Sequence, residues 1–131
     1  MKTTEHNEWK HDPLTCAVIG CAIEVHRLLG PGLLESTYQR CLAHELESAK
    51  LRFESQAPVS VYYKGVHLDC GYRADFIIED FLLVELKAVE HTTSVHQAQL
   101  LTYMKLAETP VGLLINFNVK LLKNGLKRLV L

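Results

Sequence analysis

No stretch of this sequence reaches the ~18 consecutive apolar residues that a bilayer span needs. Its four cysteines, Cys16, Cys21, Cys41 and Cys70, include no pair at CxxC spacing. Structural zinc sites use paired short spacings, so thiol ligation of a metal is disfavoured and buried, reduced thiols are expected. None of the seven histidines falls in an HxxxH or HExxH pattern, which disfavours a zinc hydrolase. Charge of one sign is also lacking: 14 Lys and Arg stand against 15 Asp and Glu, a net charge of −1. Tight non-specific binding to nucleic acid usually comes with a basic surface, and that global signal is absent. The one basic cluster, Lys120, Lys123, Lys127 and Arg128, reads most simply as a solvated strand face. Repeats, low-complexity segments and interdomain linkers are missing too. The polar, acid-bearing start of the chain does not read as a signal peptide, so a cytoplasmic location is the default expectation.

What is present suits one domain of 131 residues, 48% apolar and 22% charged. Residues 1–11 are expected as a mobile arm and residues 12–131 as the domain. Asp12-Pro13 is a helix start, with Asp as cap and Pro at the first helical position. Leu14, Ala17, Val18, Cys21, Ala22, Val25, Leu28 and Leu29 then recur at helical spacing until Gly30-Pro31-Gly32 ends the run. A second helix is predicted from about Leu33 to Lys50, its stripe being Leu34, Tyr38, Cys41, Leu42 and Leu46. Beyond Leu51 the period changes to two. Strands are predicted around 59–63, 66–70, 72–78 and 81–88, the first two joined at Lys64-Gly65 and the last two at Glu79-Asp80. The apolar density of 81–88 places it centrally. A helix over 93–107, a strand over 111–117 and a short strand over 126–131 complete the order ααββββαββ.

Two of these strands carry charge where apolar residues are expected. Asp75 lies inside Tyr72–Ile78, and Glu85 and Lys87 lie inside Leu82–Ala88, on one face by the two-residue period. A two-residue turn at Glu79-Asp80 would set Asp75 near residue 84, one residue short of Glu85, and a bulge could align them. Burying such groups is costly unless they pair or hold a metal. Two readings stay open. One is a structural ion pair of Lys87 with Asp75 or Glu85. The other is a hard divalent cation on the two carboxylates, with Lys87 orienting water or stabilising charge on a phosphate, which is the chemistry of phosphodiester hydrolysis.

The helices offer more candidates. Glu35, in the first turn of the second helix, complements the helix dipole or reaches across to the strand acids as a third carboxylate. Tyr38, at i+3, shares its face. In the third helix His96, Gln99 and Tyr103 form a stripe, either a solvated edge or a substrate-facing one. Gln can bridge water and phosphate, and Tyr can donate to phosphate or stack on a base. His26, near the glycine break, reads as a helix-terminal histidine favoured by the dipole.

Several separated segments resemble one family. Gly32-Leu33-Leu34-Glu35-Ser36-Thr37-Tyr38 fits the pattern that names the GxxExxY proteins. Val25–Pro31, Tyr63-Lys64-Gly65, Asp75, Val84–Lys87, Gln99–Tyr103 and Gly112–Asn118 are similar to that family as well, in the same order. The resemblance runs from about Leu14 to Leu131. It places the chain in the PD-(D/E)XK nuclease superfamily and implies an α/β domain of α+β type, a restriction-endonuclease-like core with a mixed sheet flanked by helices. It further implies Asp75, Glu85 and Glu35 as ligands of Mg2+ (Mn2+ substituting), with Asp75, Glu85 and Lys87 catalytic. Gln99 and Tyr103 would match the QxxxY element of RecB-type nucleases. Ala74 stands where the superfamily's name puts proline, a position often varied.

The expected function is thus metal-dependent hydrolysis of phosphodiester bonds in DNA, with Gln99, Tyr103, Tyr38 and His96 on the substrate side. A catalytically silent module on the same fold, binding nucleic acid or protein, is the alternative. The near-zero charge and short length favour that alternative, a nuclease of this size often needs a homodimer or a larger complex to form the DNA groove, and no membrane partner is expected.

Overall fold

A computed structural model of the chain describes residues 2–4 and 12–131. Residue 1 and residues 5–11 of the expected arm lie outside the described residues, whereas Lys2–Thr4 forms a strand, β1. The elements that follow are α1 (Pro13–Leu29), α2 (Glu35–Ser48), β2 (Phe53–Pro58), β3 (Val61–Tyr63), β4 (Val66–Leu68), β5 (Arg73–Ile78) and β6 (Leu82–Lys87). The chain ends with α3 (Ser94–Ala107), β7 (Val111–Asn116), a 3-10 turn (Leu122–Gly125) and β8 (Leu126–Val130).

Six strands form one sheet in the order β1-β8-β7-β6-β5-β2, and β3 and β4 form a separate two-stranded hairpin. The β6–β7 pair is parallel and is bridged by α3, while the remaining pairs are antiparallel. This is the mixed sheet between helices that the sequence implied. The expected order is short by two strands, β1 within the expected arm and the edge strand β2. Only Ala57 of β2 is buried, Gln56 has φ 53°, and Pro58 sits at the strand's end. An edge strand facing solvent loses the apolar alternation by which strands are recognised, and proline is tolerated there.

The sheet is covered on both sides. Val18, Ile19, Ala22 and Val25 of α1 and Tyr38, Leu42 and Leu46 of α2 pack on Phe76, Ile78, Leu82, Val84, Leu86, Leu113 and Ile115. On the opposite face Leu100, Tyr103 and Met104 of α3 pack on Leu83, Leu114 and Leu129. Coverage of both faces explains why β7 and the Leu82–Leu86 stretch of β6 are buried at every position. Among the described residues no helix is long and apolar enough to cross a membrane.

Local signals at the helix ends match their roles. Asp12 accepts the Thr15 N–H at 3.2 Å and the Thr15 hydroxyl at 2.6 Å, and it also takes the Arg128 guanidinium at 2.9 Å. Burial works to raise the Asp12 carboxyl, but the Thr15 and Arg128 contacts outweigh it and hold it below its ordinary range. Arg128 is therefore no part of a free basic stripe, although Lys120, Lys123 and Lys127 are exposed. The buried face of α1 is rotated from the expected one: Leu28 and Leu29 reach solvent, and His26 is buried instead. His26 Nε2 lies 2.7 Å from the Val119 carbonyl, tying the helix end to the segment after β7. The thiols of Cys16 and Cys70 are exposed and those of Cys21 and Cys41 half-buried, so the expectation of four buried cysteines does not hold.

Candidate active site

Asp75 and Glu85 meet because of how β5 turns into β6. Glu79 and Asp80 both take positive φ (54° and 52°), and the Phe81 N–H donates to the Ile78 carbonyl at 3.0 Å. Phe81 then belongs to the loop as well, and the register becomes Ile78↔Leu82, Ile77↔Leu83 and Phe76↔Val84. One further step along this register sets Asp75 opposite Glu85. The one-residue offset expected from a two-residue turn is thereby removed without a bulge between the strands. Directly opposed residues in an antiparallel pair project to the same side, here the side of Ile77, Leu83 and α3.

The backbone ladder stops at this step, and the carboxylates take over its hydrogen bonds. The Asp75 N–H donates to Glu85 Oε1 at 3.1 Å, and the Leu86 N–H donates to Asp75 Oδ2 at 2.7 Å. Buried N–H groups need acceptors, and each strand supplies the other's from a side chain. On its far side Asp75 faces Gln56, which lies between the pairs Ser55↔Phe76 and Ala57↔Ala74. Gln56 Nε2 donates to Asp75 Oδ1 at 3.2 Å and to Gln39 Oε1 of α2 at 2.7 Å. Gln39 in turn donates to the Ser55 hydroxyl at 3.1 Å.

The electrostatics follow from this enclosure. Burial pushes the Glu85 carboxyl up to about 8, with neighbouring Asp75 adding to the rise. Asp75 is also raised by burial, against the opposing hydrogen bonds from Leu86 and Gln56. Glu35, the first residue of α2, is half-buried and raised, mainly by burial and then by Asp75. Lys87 lies at the end of β6 and acts on Asp75, Glu85 and Glu35 alike, favouring their charged forms. It closes no ion pair within 4.0 Å with any of them, so the structural ion pair left open by the sequence is not formed. Among the described residues no group of three or more His, Cys, Asp or Glu side chains is arranged to hold a metal ion.

The other candidates divide. Tyr103 is buried beside the acids, which contribute, after burial, to raising its hydroxyl. Gln99 Nε2 donates to that hydroxyl at 3.2 Å, so the helical stripe does reach the site. His96 is engaged elsewhere. Its Nδ1 accepts the Thr93 N–H at 3.0 Å and its own N–H donates to Thr93 Oγ1 at 3.4 Å, a capping box at the start of α3. Tyr38 is fully buried and stacks on Phe117 with ring centroids 4.5 Å apart. Its hydroxyl donates to the Gly30 carbonyl at 2.6 Å and accepts the Leu33 N–H at 3.2 Å. That makes it a clamp on the α1–α2 connection, with no surface left for substrate, and corrects the expectation of a substrate contact.

Three residues of the site went unread in the sequence. Gln56 lay in a strand that was itself missed. Tyr72 packs on Tyr103 with centroids 5.9 Å apart, and its place at the start of the predicted strand 72–78 is the only signal the sequence offers. Asn116 is buried beside Lys87 in the parallel register. Its amide accepts the Val89 and Asn118 N–H groups at 3.1 and 3.2 Å and donates to the Val89 carbonyl at 2.9 Å. This fixes the chain just past Lys87, where the Phe117 N–H also donates to the Lys87 carbonyl at 2.9 Å.

A family model described as the PD-(D/E)XK nuclease superfamily matches residues 12–129. No curated protein and no solved structure matches the chain.

Proposed function

Since the chain belongs to the PD-(D/E)XK nuclease superfamily, we propose that residues 12–131 act as one GxxExxY-type domain that hydrolyses phosphodiester bonds in DNA with Mg2+, or Mn2+ in its place. The observation that carries this reading is the end of the β5–β6 ladder, where Asp75 and Glu85 face each other with Lys87 alongside. Both acids are buried and raised, Glu85 in part by Asp75, and neither closes an ion pair with Lys87; hard oxygen donors of this kind fit a small divalent cation. Asp75 and Glu85 would hold it, with Glu35 completing the set. When bound, such an ion supplies positive charge against the phosphate on which attack develops negative charge.

The chain's own groups have distinct parts. The N–H of Leu86 and the Gln56 amide hold the Asp75 carboxylate in orientation. Asn116 and the Phe117 N–H hold the backbone from which the Lys87 ammonium projects. Lys87 orients the attacking water and stabilises charge on the phosphate oxygens. Gln99 and Tyr103 present hydrogen-bond donors beside the acids, suited to a phosphate or sugar oxygen.

The test is cleavage of single-stranded, duplex and branched DNA and RNA with Mg2+ or Mn2+, with Lys87→Ala as control and Mg2+ binding measured by calorimetry for wild type and Asp75→Ala. Metal-dependent cleavage lost in Lys87→Ala, together with Mg2+ binding lost in Asp75→Ala, supports the proposal. Cleavage that survives Lys87→Ala, or equal Mg2+ binding by both proteins, refutes it.

A further inference from the structure

The hairpin of β3 and β4 stands apart from the main sheet and carries an apolar face that is left in solvent. Among the described residues it pairs with no other strand. Lys64 and Gly65 form its turn, both at positive φ (51° and 79°), as a two-residue hairpin loop requires. The register Val61↔Leu68 and Tyr63↔Val66 puts these four side chains on one face. Tyr63, Val66 and Leu68 are 61%, 57% and 40% exposed. A free-standing two-stranded hairpin has little stability of its own. This one is anchored at its base, where the Val59 N–H donates to the Tyr72 carbonyl at 3.0 Å.

The face continues toward the acids. Val61 lines a groove of about 420 Å³ together with Tyr72, Gln99, Thr102, Tyr103 and Leu106. Tyr72 is 46% exposed at its wall, and its ring packs on that of Tyr103, which lies within electrostatic reach of Glu85 and Asp75. Tyr63 shares the hairpin face with Val61, and Val61 shares the groove with the packed rings of Tyr72 and Tyr103, so the hairpin face leads into the groove beside the candidate active site. Lys64 Nζ lies 5.4 Å from the Tyr63 ring, and Arg73 is exposed next to Tyr72. Asp69 is the acid on the hairpin's outgoing segment, and its carboxylate accepts the Gly71 N–H at 3.2 Å.

We infer that this hairpin face and the groove below it seat an unpaired stretch of DNA strand, with bases stacked on Tyr63 and Tyr72 and the backbone leading to the acids. The inference rests on the nuclease reading of those acids and adds the class of substrate. The continuity with the site selects nucleic acid as occupant, and the scarcity of charge selects the unpaired form. A duplex keeps its base faces covered and is gripped through many phosphate contacts, whereas this surface offers Lys64 and Arg73 on a chain of net charge −1. Stacking on aromatic rings works without a strongly basic surface and tolerates any base sequence.

The experiment is fluorescence anisotropy of a short fluorescein-labelled oligothymidylate and of a duplex of equal length, in EDTA so that nothing is cut. Wild type, Tyr63→Ala, Tyr63→Phe, Tyr72→Ala and Tyr72→Phe are compared, with circular dichroism to show that each is folded. The single strand is expected to bind about tenfold or more tightly than the duplex. Each alanine variant is expected to weaken it about fivefold or more, and each phenylalanine variant to restore it, because stacking needs the ring and not the hydroxyl. Equal affinity for duplex, or alanine variants that bind as wild type does, overturns the inference. So does sedimentation showing a dimer that Tyr63→Ala splits while strand affinity is unchanged, since the face would then seat a second copy. The two readings fail separately. Tyrosine-dependent strand binding with no cleavage in Mg2+ removes the nuclease and leaves the seat, whereas duplex cleavage indifferent to Tyr63→Ala removes the seat and leaves the nuclease.

Discussion

Replacing Glu85 by Gln removes a titration while leaving an oxygen to accept the Asp75 N–H, so it isolates the cost of burying this acid. In the unfolded chain Glu85 loses its proton near 4.5, and in the folded protein it keeps the proton until about 8. Between those values the unfolded state binds fewer protons than the native one, so stability falls as pH rises. The contribution of Glu85 is fully present below pH 4.5 and is lost by the time pH passes about 8. At 1.36 kcal/mol per unit, the whole shift corresponds to about 5 kcal/mol, and sharing of charge with Asp75 brings the expected effect to about 2–5 kcal/mol. Urea unfolding at pH 5, 6.5 and 8.5 in EDTA, for wild type and Glu85→Gln, measures it. The variant's advantage over wild type should grow by that amount from the lowest to the highest pH. Adding Mg2+ at pH 8.5 should return stability to wild type alone, by about 2.7 kcal/mol at a hundredfold excess over its dissociation constant. A difference between the two proteins that stays flat with pH, within about 0.5 kcal/mol, would refute the reasoning, because surface-like substitutions produce no more than that.

Tyr38→Phe should destabilise the fold by about 1–3 kcal/mol, since the Gly30 carbonyl and the Leu33 N–H lose their partner. It should leave Mg2+ binding and strand affinity as they are, and urea titration with calorimetry checks both halves. Gly112→Ala should cost about 1–3 kcal/mol, because a Cβ there would run into the Met104 sulfur and come within 3.1 Å of Leu100 Cδ1. An unchanged unfolding midpoint would show that α3 shifts away from β7 more easily than the packing suggests.

Much of the fold could be read wherever burial imposes a period. The α1 cap at Asp12 and the break at Gly30 lie where side-chain chemistry alone puts them. The apolar density of 81–88 points to a central strand, and β6 lies inside the sheet with every residue from Leu82 to Leu86 covered. What escaped is what burial does not pattern. β2 is an edge strand of Phe53-Glu54-Ser55-Gln56-Ala57-Pro58, with a left-handed residue in its middle. The meeting of Asp75 and Glu85 near Lys87 was legible, since charge inside an apolar strand is conspicuous. The uses of Tyr38 and His96 were not, because helical spacing says which residues share a face and nothing about what their polar atoms reach. Tyr38 reaches back to a loop and His96 to its own cap, both local bonds that a stripe of i, i+3 and i+7 leaves unspecified.

The same local reasoning explains why the site stands at this step of the sheet. A ladder that continued past Phe76↔Val84 would spend the N–H groups of Asp75 and Leu86 on carbonyls and let both acids project as ordinary side chains. With the ladder stopped, those N–H groups hold one oxygen of each carboxylate, and two lines of force keep the stop in place. Gln56, turned by its positive φ, pulls Asp75 toward β2 and α2, and the parallel pairing of Lys87 with Asn116 pulls the end of β6 toward β7. The two strands stop pairing between these anchors, and both acids lie buried there, Asp75 9% and Glu85 6% exposed. Burial there raises Glu85, and a cation placed between the strands would relieve the repulsion Asp75 adds to it without breaking either backbone hydrogen bond, because a carboxylate has more lone pairs than those two bonds use.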